Sequence, residues 1–339
     1  VIFRPTVEAD LDGLLPLLVT DPASTLTPET YTARLATGEY RPERTWIAQD
    51  APGAAPRALA VWWGGPTDAE PAALDALLVP GTDRTGAGPS AAERGEGGQD
   101  GEGGRLDDER TALAAELLAA AHAAYGHAPA YHLFLPSDWH DLPDTRAAVA
   151  WRREAARRAG LPGTLERLRY EWTPSAGLPA PTGRLEFRPE PDDEVFVDLF
   201  RRVLAGTLDA TSRTAAAEHG AEAQARADVA FYRDGMSGER AWWRTAHTPD
   251  GEPVGFAVPS RNPASPVVGY LGVLPEHRGR GHAEEILAET TRILAAEAAA
   301  PQVRADTDLA NAPMAAAFER VGYRTTSRRL VLTAEPPVS

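Results

Sequence analysis

Residues 270–283, Tyr-Leu-Gly-Val-Leu-Pro-Glu-His-Arg-Gly-Arg-Gly-His-Ala, gather the groups in this chain best suited to holding an anion. The stretch opens as a short apolar run, which predicts a buried strand, and closes in glycines and arginines. Behind it, residues 284–300 carry Ile286, Leu287, Ile293 and Leu294 at helical spacing. A strand, a glycine-rich loop and a helix, in that order, turn free N–H groups and the positive end of the helix dipole toward one point. Gly279 and Gly281 let a ligand approach the backbone with no Cβ in the way. Arg278 and Arg280 add charge and paired donors. The expected occupant is a pyrophosphate. Neither common nucleotide loop is written here. The chain has no Lys for a P-loop, and Glu284 stands where Gly-x-Gly-x-x-Gly needs its third glycine.

Downstream, 303–307 reads as a strand, followed by Asn311-Ala-Pro-Met314-Ala-Ala-Ala-Phe318-Glu-Arg-Val-Gly322-Tyr323. The first stretch resembles the acyl-CoA loop of the GNAT acetyltransferase superfamily, Arg/Gln-x-x-Gly-x-Gly/Ala. Arg278, Gly281 and Ala283 fill its defining positions, and Val273-Leu274-Pro275 matches the usual lead-in. The second stretch is similar to the superfamily's closing motif: Asn, a helix with a small or apolar residue and an aromatic, then Gly-aromatic. Both motifs occur in order, one strand apart.

The resemblance implies a site. The backbone of Leu271, Gly272 and Val273 would hydrogen-bond the pantetheine and polarise the acyl carbonyl. Arg278, Gly279, Arg280, Gly281, His282 and Ala283 would hold the pyrophosphate of acetyl-CoA or another acyl-CoA. Asn311 would bond the cofactor arm, with Met314 and Phe318 along it. An amine would attack the thioester directly, helped by a base and an acid. The superfamily often places a Tyr seven residues after the Asn; here that position is Phe318, which cannot donate a proton. Tyr270 is a candidate proton carrier or a core aromatic. Asp306 and Asp308 alternate along a strand and share one face, where they would orient an amine, relay its proton or simply be solvated. His277 and His282 flank the loop, at the far end of the cofactor from the thioester. His122, His127 and His132 recur at a spacing that does not stack on one helix face, and Pro129 interrupts them, so no metal site is expected.

The 339 residues suffice for two domains, and a hydrophobic share of 43% suits a globular protein. A net charge of −15 argues against nucleic acid and favours a cationic partner, a small-molecule amine. With no Cys there are no disulfides and no thiol nucleophile. No run is long enough to span a membrane, and Val1-Ile-Phe-Arg-Pro reads as a strand rather than a signal peptide. A cytoplasmic bacterial protein, monomer or homodimer, is expected.

Strands are expected at 2–5, 45–48, 58–63, 73–79 (where the pattern suits a helix equally), 131–135 and 164–172, with helices at 11–18, 27–35, 108–124 and 145–159. Residues 81–105 hold no large apolar side chain and are expected to lack a fixed shape. Pro and Gly recur through 174–183, a linker, after which Leu185-Glu-Phe187-Arg188-Pro189 repeats the opening Phe-Arg-Pro. Helices at 193–204 and 215–232 and a hairpin across Pro249-Asp250-Gly251 follow. Phe3 lays over Phe187, Val79-Pro80 over Leu274-Pro275, and Gly160 over Gly322. The glycine-rich tract falls where the first half's phosphate loop should be. The expected class is mixed α/β: two tandem GNAT-type domains, each a mostly antiparallel central sheet flanked by helices. Residues 1–173 would be a degenerate copy that shapes the substrate cleft, 174–184 the linker, and 185–334 the domain with the acyl-CoA site. In architecture this resembles the actinobacterial mycothiol synthase group. The activity implied is acetyl transfer to a metabolite or antibiotic amine, for tailoring or self-resistance. The alternatives are a non-catalytic acyl-CoA-binding scaffold, a mycothiol-synthase-like or peptide N-acetyltransferase, and an acyl-CoA decarboxylase.

Overall fold

The computed structural model describes residues 1–80, 100–262, 265–296 and 299–335. They form two compact units: Val1–Leu165 together with the stretch from Arg329, and Glu166–Arg328.

The first unit begins with β1 (Ile2–Pro5), α1 (Leu11–Leu14) and α2 (Pro28–Ala36). Thr27 starts α2 by accepting the Thr30 N–H at 3.2 Å, ahead of Pro28, whose missing N–H would be unpaired there anyway. Then come β2 (Thr45–Gln49), β3 (Ala58–Trp63), β4 (Ala73–Leu78), α3 (Asp100–Tyr125), β5 (Ala130–Pro136), α4 (Pro143–Arg158) and β6 (Gly163–Trp172). The sheet runs β1-β2-β3-β4-β5, antiparallel except for the β4–β5 pair. Helix α3 starts eight residues earlier than residue 108, so 100–105 of the glycine-rich tract are helical rather than shapeless; residues 81–99 lie outside the described ones. Extending an existing helix costs far less than nucleating one, which offsets the glycines.

The second half repeats the plan: β7 (Glu186–Pro189), α5 (Asp193–Leu204), α6 (Ala210–His219), α7 (Ala221–Ala230), β8 (Arg244–His247), β9 (Pro253–Arg261), β10 (Pro266–Val273), α8 (His282–Ala296), β11 (Val303–Asp308), α9 (Ala312–Val321) and β12 (Arg324–Thr333). Its sheet order is β7-β8-β9-β10-β11-β6, antiparallel except for β10–β11. Strand β6 therefore pairs with β11, and the unit boundary falls inside β6 rather than at 174–183. The helix expected at 215–232 is two helices. Gly220 at φ 85° breaks it, and Asp209 caps α6 by accepting the Ser212 N–H at 2.7 Å. A π-helical turn, Phe231–Gly235, ends α7.

Helix α5 shows how a helix is pinned over the sheet. Asp192 caps it, and Phe196, Val197, Leu199, Phe200, Val203 and Leu204 are buried along one face. Each such side chain contributes about 1.5–3 kcal/mol of burial. Gly272 on β10 lies under this helix, where an added Cβ would come within 2.9 Å of Val203. No helix among the described residues is long and apolar enough to cross a membrane.

Candidate active site

Strand β10 parts from its parallel neighbour. Val267 pairs with Arg304 of β11, and no later residue of β10 has a partner there. The ladder to β9 slips between Val267 and Tyr270, where Gly269 takes φ 70°; a Cβ there would lie 2.0 Å from the Val258 oxygen. Only glycine fits that bulge. Beyond it, the Leu274 N–H donates to Val254 at 2.9 Å, toward the β9 side. By strand alternation, the N–H groups of Leu271 and Val273 face the open side. The gap thus exposes backbone donors of the residues expected to polarise an acyl carbonyl.

The loop follows directly. Pro275–His277 make one 3-10 turn, and Gly279 and Gly281 sit at φ 75° and 80°. Arg278 does not present its guanidinium to the loop. Its Nε donates to the Val273 oxygen at 3.1 Å, Nη1 to Ala205 and Gly206 at 2.7 and 3.0 Å, and Nη2 to Val203 at 2.7 Å. It ties the end of β10 to the end of α5. Among the described residues, the N–H groups of Gly279, Arg280, Gly281, His282 and Ala283 have no acceptor. They stand at the head of α8, where the dipole adds its positive end. The Arg280 side chain is exposed and makes no hydrogen bond or ion pair among the described residues. Arg184, paired with Glu285, donates to the Arg280 oxygen at 3.2 Å and steadies the turn. Burial, then the Arg184 charge, holds the His282 imidazole below its usual range. Arg278→Ala should cost about 2 kcal/mol in urea unfolding, the worth of charge-assisted bonds to carbonyls left unpaired. Acetyl-CoA affinity should fall about tenfold with it, roughly 1.4 kcal/mol.

Asn311 caps α9 with its side-chain oxygen, which accepts the Met314 N–H, and Gly322 ends the helix at φ 95°. Met314 is half-buried against the core. Phe318 corrects an expectation. It is 2% exposed, stacked on Tyr170 at 4.6 Å and edge-on to Tyr323 at 5.1 Å, so it is a core ring rather than a wall along the cofactor.

The carboxylates expected to handle protons are engaged. Asp308 is buried, with one oxygen on Arg167 Nε at 2.7 Å and the other on the Ala210 N–H at 2.6 Å. Arg167 also donates to Asp209 at 2.6 Å. Asp306 lies 3.5 Å from Arg169, its cross-strand neighbour. Asp308 is thereby a structural anchor rather than a base. Tyr270 packs with Phe200 at 4.7 Å and Phe256 at 5.8 Å. Burial, then the charges of Asp209 and Asp228, push its phenol up, so it stays protonated. Asp228 escaped the sequence reading. Burial pushes its carboxyl up to about 6, and its only sequence signal was its place one helical turn before Tyr232.

The first unit has the same gap with different contents. Beyond Ala73↔Ala130 and Leu74↔Tyr131, β4 has no partner in β5. There the Leu77 oxygen accepts from Arg152 Nε at 3.2 Å. Arg152 is 1% exposed, bonds the Ala148 oxygen at 3.1 Å and pairs with buried Asp21. Laid over the second half by the Val79–Leu274 and Gly160–Gly322 anchors, Leu77 matches Gly272 and Arg152 matches Met314.

Residues 184–324 match the family model described as "Acetyltransferase (GNAT) domain". A GCN5-related N-acetyltransferase from Sphaerobacter thermophilus superposes over 100% of this chain and 97% of its own, with a TM-score of 0.51 at 15% identity. A tandem GNAT protein from the clavulanic acid biosynthesis pathway covers 99% of both chains at 18% identity and a TM-score of 0.44. An acetyltransferase from the GNAT family of Colwellia psychrerythraea covers 98% and 99%, at 10% and 0.46. No curated protein matches the chain.

Proposed function

We propose that this chain, whose residues 184–324 match the model of a GNAT acetyltransferase domain, moves an acetyl group from acetyl-CoA to the amine of a small molecule. The unpaired N–H groups from Gly279 to Ala283, at the head of α8 and just past an opened strand, carry the reading. Such a cradle suits a pyrophosphate, with Arg280 as the nearby free cation. Donors on Leu271 and Val273 would hydrogen-bond the pantetheine and polarise the thioester carbonyl. When bound, acetyl-CoA supplies the thioester: the amine nitrogen bonds its carbonyl carbon as the C–S bond breaks, and the electron pair leaves on sulfur. Tyr270, protonated and beside the gap, is the candidate donor to that sulfur, and Asp306 remains a candidate to orient the amine. Asn311 and Met314 would border the arm. The net charge of −15 draws cationic amines toward the protein.

The first unit would bind no second cofactor, because Arg152 stands in its gap. The test is thiol release from acetyl-CoA in the presence of a panel of primary amines. Release well above the buffer rate supports an enzyme. Tight binding with no release would instead fit an acyl-CoA-binding scaffold.

A further inference from the structure

Helix α7 and the turn that ends it bring one unsatisfied carboxylate against a group of rings. Asp228 Oδ1 accepts from Gln224 Nε2 at 2.8 Å, while Oδ2 is buried and accepts nothing among the described residues. One helical turn on, Tyr232 stacks at 6.2 Å on Phe200 and stands 6.3 Å from Tyr270 on β10. Phe231, 55% exposed, meets Tyr232 edge-on at 5.2 Å. The π-helical turn through Phe231 and Tyr232 is a rare geometry that recurs at functional sites. The groups facing Asp228 are Gln224 from its own helix, Tyr232 from the turn, Tyr270 from β10 and Asp209 from the start of α6. Arg167, whose charge reaches Tyr232, is already held by Asp209 and Asp308. A buried carboxylate oxygen without a donor is costly unless a ligand supplies one. Ring faces beside it favour a cation.

Resting on the acyl-transfer reading above, we infer that Asp228 binds the acceptor: an arylalkylammonium whose charged nitrogen sits between the Asp228 carboxylate and the rings of Tyr232 and Tyr270. Asp228 takes one proton from the ammonium. The freed amine nitrogen then attacks the thioester carbon, the C–S pair leaves on sulfur, Tyr270 gives its phenolic proton to that sulfur, and a second nitrogen proton restores Tyr270. The products are the amide, the free thiol and a proton on Asp228 that returns to water.

The sign of the pH dependence follows from the raised carboxyl. Below about pH 6 Asp228 is protonated, and it then neither holds a cation nor accepts its proton. The same shift means that the fold loses stability as pH rises toward 6, so Asp228→Asn should be at least as stable as wild type at pH 7.5. The probe is 2-phenylethylamine, with acetyl-CoA as donor. Wild type should bind the probe at pH 7.5 and at least tenfold more weakly at pH 5. Its kcat/KM should show an acid limb near pH 6. Asp228→Asn should keep the acetyl-CoA affinity, lose about 100-fold in kcat/KM for the probe and lose the limb. A variant within twofold of wild type, or one that keeps the limb, overturns the inference. So does a wild type that binds acetyl-CoA but neither binds nor acetylates the probe. A wild type that does not bind acetyl-CoA fails at the earlier step and takes the acyl-transfer reading with it.

Discussion

Gly281→Trp should lower acetyl-CoA affinity at least about 100-fold, a loss of roughly 2.7 kcal/mol, while the protein stays folded. Gly281 is exposed at φ 80°, and the nearest atom to an added Cβ is Arg184 Nη2 at 3.5 Å. An indole therefore enters the space over the free N–H groups without striking the core. The left-handed backbone adds a strain of about 1–2 kcal/mol for any side chain, so a control is needed. Gly251, in the β8–β9 hairpin, has φ 89° and nothing within 4 Å of an added Cβ. Gly251→Trp carries the same strain away from the loop and should leave cofactor affinity unchanged. Equal losses in both variants would remove the loop from the binding site.

Arg152→Ala should destabilise the first unit by about 3–5 kcal/mol, the usual consequence of leaving one member of a buried ion pair alone. Asp21 would keep a buried charge, and the Leu77 and Ala148 oxygens would lose donors. Arg152→Met combined with Asp21→Asn should recover much of the loss, because a neutral thioether and a neutral amide need no partner charge. Urea unfolding of the wild type, single variants and double variant measures the coupling. A single-variant loss below about 1 kcal/mol would mean that the guanidinium does not fill the gap as a structural plug.

The local features of the site were legible in the sequence. Gly279, Gly281 and Gly322 all take positive φ, whereas Asn311, expected to bond the cofactor arm, turns its side chain to cap the helix that it precedes. Such features depend on a residue and its near neighbours. What was missed depends on residues far apart in the chain. Arg278 reads as a phosphate ligand until the ends of β10 and α5 are seen to need its donors. Asp308 reads as a free carboxylate until Arg167, on strand β6 far earlier in the chain, appears opposite it. Phe318 carries the periodicity of a helix face, but periodicity does not distinguish the core from a cofactor. The duplication was visible only in Phe-Arg-Pro and a few glycines. Among the described residues the two halves share their order of strands and helices except that two helices follow β1 and three follow β7, and Arg152 plugs a gap in the first half alone.

A calorimetric titration of the intact protein with acetyl-CoA tests the central claim most directly. One site per chain, lost in Gly281→Trp and kept in Gly251→Trp, is the expected result. No heat of binding, or a second site that survives Gly281→Trp, would contradict it.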